Sequence, residues 1–254
     1  MPVMDHAGFC DAAASEARRF VATVDGADPA LPVPTCPGWT LTDLMSHLGG
    51  IHRWAAQHVA TGARRRVPNA DVDLQEPDDP AALAGWLAAG IDPMVATFRA
   101  GDPDADVWGW GADRHGRFWA RRMVHETMVH RVDAASAVGV EPELDPALAQ
   151  DAIDELLANL PHAAYFAPAV DTLRGDGESV GLHATDRDVA WRIRLLPAGY
   201  AWDWSTEPAD AELRATTADL LLAVSGRRAP DDPTRFESAG DTALLHRFIL
   251  GCAL

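Results

Sequence analysis

The spacing of apolar residues changes once along this chain, near Pro161, and that change restricts the fold more than any other feature. Before it, apolar side chains recur every three to four residues over long segments, the period of a helix with one buried face. After it, short runs alternate apolar with polar, the period of a half-buried strand. Over 254 residues this order predicts an α+β protein in two parts, an antiparallel helical bundle followed by a small α+β domain. The boundary is expected between residues 160 and 175, with 1–165 as the bundle and 166–254 as the second domain.

The helices are bounded by recognisable starts and stops. The first is expected over residues 5–24, with Phe9, Ala13, Phe20 and Val24 on one face. Four prolines between Asp25 and Trp39 make the next stretch a loop. Thr40 is an N-cap with Asp43 three residues on, opening a helix that runs to about Ala60 and stops before Gly62. Asp79-Pro80 caps a third helix to about Ala100, a fourth spans about Arg117 to Val138, and a fifth runs near Pro146 to Leu160. Beyond Pro161, strands are expected at Ser179–His183, Val189–Leu196 and Tyr200–Trp204, and helices over Ala209–Val224 and Asp241–Leu250. Trp191-Arg192-Ile193-Arg194-Leu195 alternates cleanly.

Composition excludes some roles. The formal charge of -17 repels phosphate backbones and anionic lipid surfaces, which disfavours nucleic-acid and membrane partners. No run approaches the roughly 18 apolar residues of a bilayer span, and the acidic, alternating stretch Met1 to Phe20 lacks the pattern of a signal peptide. Three cysteines, Cys10, Cys36 and Cys252, with no CxxC, point to a reducing, cytoplasmic setting and to small buried residues. All 21 basic residues are arginine, a mark of GC-rich codons.

The segment with chemical content is His125-Glu126-Thr127-Met128-Val129-His130, on the fourth helix. At roughly 100° per residue, Glu126 and His130 lie almost superimposed, whereas His125 and His130 point apart and cannot share an ion. A carboxylate and an imidazole on one face need a third ligand from elsewhere, and two histidines with one carboxylate suit zinc with a position left open. The second helix offers His47, His52 and His58. His52 falls within the apolar stripe and His47 on its flank, so spacing leaves these two equal. A Glu and His four apart also make an ordinary surface pair. Trp108, Trp110 and Trp119 read as core, and the arginines at 64 to 66 as a solvated loop.

Two segments carry a resemblance: Pro34-Thr35-Cys36-Pro37-Gly38-Trp39-Thr40-Leu41-Thr42-Asp43-Leu44-Met45-Ser46-His47-Leu48, and Phe118 to Ala134 around the histidine segment. Together they resemble the mycothiol-dependent maleylpyruvate isomerase family, part of the DinB-like four-helix-bundle superfamily. Ala218 to Arg227, followed by Gly240-Asp241 and an apolar helix, is similar to that family's sterol-carrier-like C-terminal domain. The family often has tryptophan where this chain has Ser225, and residues 62–115 match weakly. The resemblance implies metal ligands His47, Glu126 and His130. It also implies an enzyme in which the metal, zinc, presents mycothiol as a thiolate to a small electrophile. Elimination from the adduct would make the enzyme an isomerase, and release of the adduct an S-transferase. Mycothiol use agrees with actinobacterial GC-rich composition. Arg227 is a candidate for holding an anionic substrate or thiol, with a charge favouring the helix C-terminus as its other reading. A metal-dependent hydrolase and a non-catalytic module for an apolar ligand are the alternative functions.

Overall fold

The computed structural model describes residues 4–253, in which seven α-helices and a five-stranded sheet form an α+β protein. The chain divides into two compact units, Met1–Glu143 and Leu144–Leu254.

The first unit is a bundle of α1 (His6–Val24), α2 (Leu41–Thr61), α3 (Leu83–Ala100) and α4 (Arg117–Val138). Around the bundle α1 packs on α3 and α4, and α2 packs on the same two. The expected stripe of α1 is buried at Phe9, Ala13, Phe20 and Val24. Phe20 and Val24 join Leu41, Leu44, Leu48 and Leu87 in one core cluster. Each such side chain taken from water contributes roughly 1.5–3 kcal/mol. At Gly49 the ring of Trp86 lies where a Cβ would stand, so the close approach of α2 and α3 requires glycine there. Pro80–Ala100 corrects one expectation, since it is long and apolar enough to cross a membrane by length and composition. Within the bundle its Leu83, Leu87, Ile91, Met94, Val95 and Phe98 are buried, the expected pattern for a core helix.

The second unit holds α5 (Pro146–Asn159), β1 (Ser179–Ala184), β2 (Ala190–Leu196), β3 (Gly199–Trp204), β4 (Ala211–Ala215), α6 (Thr217–Val224), β5 (Glu237–Gly240) and α7 (Thr242–Cys252). The strand order is β3-β2-β1-β4-β5, with β1 and β4 parallel and the other neighbours antiparallel. Trp191, Ile193 and Leu195 of β2 are fully buried, as their alternation predicts.

Two expectations are corrected here. The helix expected over Ala209–Val224 is a strand followed by a helix. Ala211, Leu213 and Ala215 face the core from β4, and Thr216 then caps α6 by accepting from the Asp219 N–H. The residues of β4 are good helix formers, but pairing on both edges outweighs that weak preference. The other concerns α5, which was expected in the bundle. It groups with the second unit and packs on α6, which moves the division from about 165 to 143/144. Periodicity predicts that a helix has a buried face but not which partner covers it.

Candidate metal centre

The site forms where the proline-rich loop returns to the start of α2. The Thr40 and Asp43 capping box fixes that start. The Val33 N–H donates to the Trp39 carbonyl, and the Leu41 N–H to the Leu31 carbonyl, each at 2.9 Å. The loop therefore lies down with Thr35, Cys36 and Trp39 beside α4. His47 comes two turns into α2, and Arg122, Glu126 and His130 follow at intervals of four along α4.

Glu126 Oε1 stands 3.2 Å from His47 Nε2 and 3.3 Å from His130 Nε2. One donor atom from each of these residues falls within 4.8 Å of the others. The second oxygen of Glu126 accepts from Arg122 at 2.9 Å. On its far side, His130 Nδ1 contacts Asp133 Oδ2 at 2.8 Å, and Asp133 Oδ1 accepts from Thr35 Oγ1 at 2.6 Å. Asp133 is completely buried. This chain of contacts holds the His130 ring with Nε2 turned toward Glu126 and His47, the arrangement by which a carboxylate orients a metal-binding histidine. Trp39 packs against both imidazoles, with ring centres 5.1 Å from His47 and 6.3 Å from His130.

The electrostatics follow from this geometry. Burial alone would raise the Glu126 carboxyl, but hydrogen bonds from His130 and His47 and the charge of Arg122 hold it well below the usual carboxylate range. Burial alone would lower His130, but hydrogen bonding with Asp133, Cys36 and Glu126 holds it well above the usual imidazole range. The cluster favours a cation at its centre, either a proton on His130 or a metal ion.

The donor set fits a zinc ion. Ligand atoms about 2.0–2.1 Å from a tetrahedral ion stand about 3.3–3.4 Å apart, close to the 3.2 and 3.3 Å separations here. Cys36, His130 and Asp133 form a second close group, but two of its members serve to orient the His130 ring.

The remaining histidines have other partners. His52 is buried with Nε2 at 2.8 Å from Thr127 Oγ1, so of the two residues left equal by spacing only His47 faces Glu126. His58 packs against the rings of Trp108 and Trp119, each 5.0 Å away, and its two nitrogens contact the Trp54 carbonyl and the Val67 N–H. His125 meets the edge of Phe9. Trp119 is fully buried, as expected of a core residue, whereas Trp108 and Trp110, also expected in the core, are half-buried. Arg227, in the second unit, donates to the Ser225 carbonyl at 2.6 Å at the end of α6, which matches the helix-end reading of that residue.

Sequence reasoning gave no role to Arg122, Asp133, Thr35 or Trp39. The first two carried a usable signal, four residues before Glu126 and three after His130. Thr35 and Trp39 arrive through the folded loop, which no local spacing reveals.

A cavity of about 240 Å³ opens beside His47, between α2 and residues 66–76. Its wall includes Ile51, Trp54 and Leu74. Arg66 is exposed, as expected of the loop arginines, and also lines this cavity with its guanidinium 5.5 Å from the Trp54 ring centre.

Residues 10–135 match the family model for the mycothiol maleylpyruvate isomerase N-terminal domain, and residues 147–247 match the model for the C-terminal domain that accompanies it. Two uncharacterized proteins of Mycobacterium tuberculosis are each 30% identical to this chain over 152 residues, covering 58% of this chain and 73% of the relative. The crystal structure of a mycothiol-dependent maleylpyruvate isomerase superposes with a TM-score of 0.63 at 14% identity, covering 94% of this chain and 95% of that one. A histidine-to-alanine mutant of that enzyme gives the same TM-score at 13% identity. At such identity the likeness is one of fold.

Proposed function

Since the chain belongs to the mycothiol maleylpyruvate isomerase family, we propose that it is a metal- and thiol-dependent enzyme, with mycothiol as the thiol and a small electrophile as the substrate. The observation that carries this reading is the convergence of His47, Glu126 and His130, whose donor atoms face one another at zinc-ligand spacing. A divalent ion bound by these three, with zinc favoured by the donor set, supplies a charge that lowers a thiol's pKa and so makes the nucleophilic thiolate available at neutral pH.

The chain's own residues then have distinct tasks. Asp133 and Thr35 fix the His130 ring. Arg122 occupies Glu126 Oε2 and leaves Oε1 for the cluster. Trp39 covers one side of both imidazoles and limits access of water. The cavity beside His47 gives a small electrophile a place next to the thiol, so that attack gains from proximity. If the electrophile is a cis-activated alkene, addition, bond rotation and elimination return the thiol, and the reaction is an isomerisation. If it carries a leaving group, or if the adduct is released, the reaction is an S-transfer. Arg227, in the second unit, is a candidate for holding an anionic group because arginine grips carboxylates well, beside its role at the end of α6. A cytoplasmic location accords with three free cysteines and with a thiol cofactor.

The test is product analysis of the zinc-supplemented protein with maleylpyruvate, with and without mycothiol. Thiol-dependent formation of the trans isomer or of a thioether adduct is the expected result. Turnover that is indifferent to thiol would contradict the proposal and favour hydrolysis.

A further inference from the structure

Arg66, Asn69, Val72, Leu74 and Glu76 line the cavity beside His47, yet they belong to an irregular stretch that follows the end of α2 at Gly62. Such a wall keeps its shape only where its backbone is tied to something rigid, because loop segments open at little cost. We infer that His58, which lies outside the cavity lining, is a positioning residue for this site: by clamping Val67 it holds residues 63–76 on α2 as a strap, and the strap shapes the cavity. The inference rests on the thiol-enzyme reading only for the use of the cavity, as the place of the electrophile.

The clamp is specific in its chemistry. The Val67 N–H donates to His58 Nε2 at 3.0 Å, which requires a bare lone pair on that nitrogen. The ring proton is then on Nδ1, which donates to the Trp54 carbonyl at 2.8 Å. Burial holds the imidazole below its usual pKa, and the charge of Arg66 acts in the same direction, so the neutral ring is the form present at pH 7. The ring has no room to turn away, since His58 is fully buried against Trp54, Trp108 and Trp119.

Val67 is held from its other side as well. Its carbonyl accepts from Trp54 Nε1 at 2.8 Å. Further on, Trp86 Nε1 donates to the Leu74 carbonyl at 2.8 Å and ties the far end of the strap to α3. The ion pair of Arg64 with Asp106 is exposed on both sides and contributes little. Trp54 also lines the cavity, so changing it would remove a group that a substrate touches. Changing His58 alters the wall alone. His47 lies about three turns earlier on the same helix, so the metal centre should not respond.

The test uses the zinc-supplemented full chain and begins with the wild type. The Val67 amide should exchange with solvent at least about tenfold more slowly than those of Arg66 and Asn69, as one backbone hydrogen bond of ordinary strength requires. Trypsin then reports on the strap through the exposed arginines at 64 to 66. His58→Phe keeps a ring among the tryptophans but offers no acceptor, and should be cut at these arginines about tenfold faster than the wild type, with unchanged zinc content. His58→Gln, whose amide oxygen can accept from Val67, should lie close to the wild type. With maleylpyruvate and saturating mycothiol, His58→Phe should raise KM by a similar factor and leave kcat nearly unchanged.

A wild-type Val67 amide that exchanges as fast as its neighbours would overturn the inference whether or not the variants fold. So would equal cleavage of His58→Phe and wild type, loss of zinc in His58→Phe, or a fall in kcat at constant KM. Exchange and proteolysis need no thiol, so failure of the thiol-enzyme reading leaves the clamp standing. Conversely, thiol-dependent turnover with a KM indifferent to His58 would keep that reading and sink this one.

Discussion

In the second unit, buried Asp154 accepts from the indole of Trp191 at 2.6 Å and from that of Trp204 at 3.0 Å. Asp186 there accepts from both the N–H and the hydroxyl of Thr217. In the bundle, Glu126 Oε1 instead faces two imidazole nitrogens at once, and Asp133 braces one of those rings from behind. Asp154 and Asp186 thus end on donors of the fold itself, so their work is structural. Glu126 and Asp133 meet the imidazoles of the proposed metal centre, where a proton or an ion can sit. The difference teaches that a carboxylate is informative when two imidazoles share it, since each ring can give up its proton and turn a lone pair to an ion, and much less so when its partners are donors only.

Substitutions can break that contrast. The largest effect is expected for Glu126→Ala, which removes the carboxylate shared by both histidines. Thiol-dependent turnover should fall by more than the roughly 10–100-fold that losing a partner of a metal ligand costs, measured as kcat/KM with saturating zinc. Asp133→Asn leaves the three ligands in place and releases the His130 ring, so zinc affinity should drop by about 10–100-fold in a competition titration with a chelator. Asp154→Ala, the matching change in the second unit, should cost about 1–3 kcal/mol by leaving the buried Trp191 indole without that acceptor. Its zinc content should be unchanged, and equal loss of zinc in Asp133→Asn and Asp154→Ala would erase the distinction.

A smaller effect sharpens the same comparison through pH. Burial holds His52 down to about 3, against an ordinary value of 6.5. Its folded value is depressed, so its contribution to stability is complete above pH 6.5 and is lost as pH falls toward 3. The loss amounts to at most about 1.4 kcal/mol per pH unit. Denaturant unfolding at pH 7 and pH 5 should show that slope, and His52→Asn should reduce it. An unchanged slope would mean that His52 is not buried as a neutral ring.

How much of this was legible beforehand depended on whether the signal was local. Helix ends were readable because Thr40, Asp79 and Gly139 cap them through their own neighbours. Glu126 and His130 were readable as a pair because one helix turn sets their spacing. The choice between His47 and His52 was open from periodicity, since both rings reach α4 and only the packing decides that one meets Glu126 and the other Thr127. Here the resemblance named His47, which is the residue that faces Glu126. The strand β4 was obscured because Ala, Glu, Leu and Arg favour helices and only its sheet partners overrule them. The four residues of β5 are all exposed and carried no apolar alternation to find. The bracing of His130 by Asp133 and Thr35 needed a loop folded across some 98 residues of sequence.

The central claim is that His47, Glu126 and His130 hold a divalent ion, and metal content by mass spectrometry tests it most directly. The wild type, reconstituted with zinc and freed of excess, should carry about one zinc per chain. His47→Ala and Glu126→Ala should carry essentially none, while Asp154→Ala should match the wild type. A wild type that takes up no metal, or a Glu126→Ala variant that retains it fully, would contradict the account.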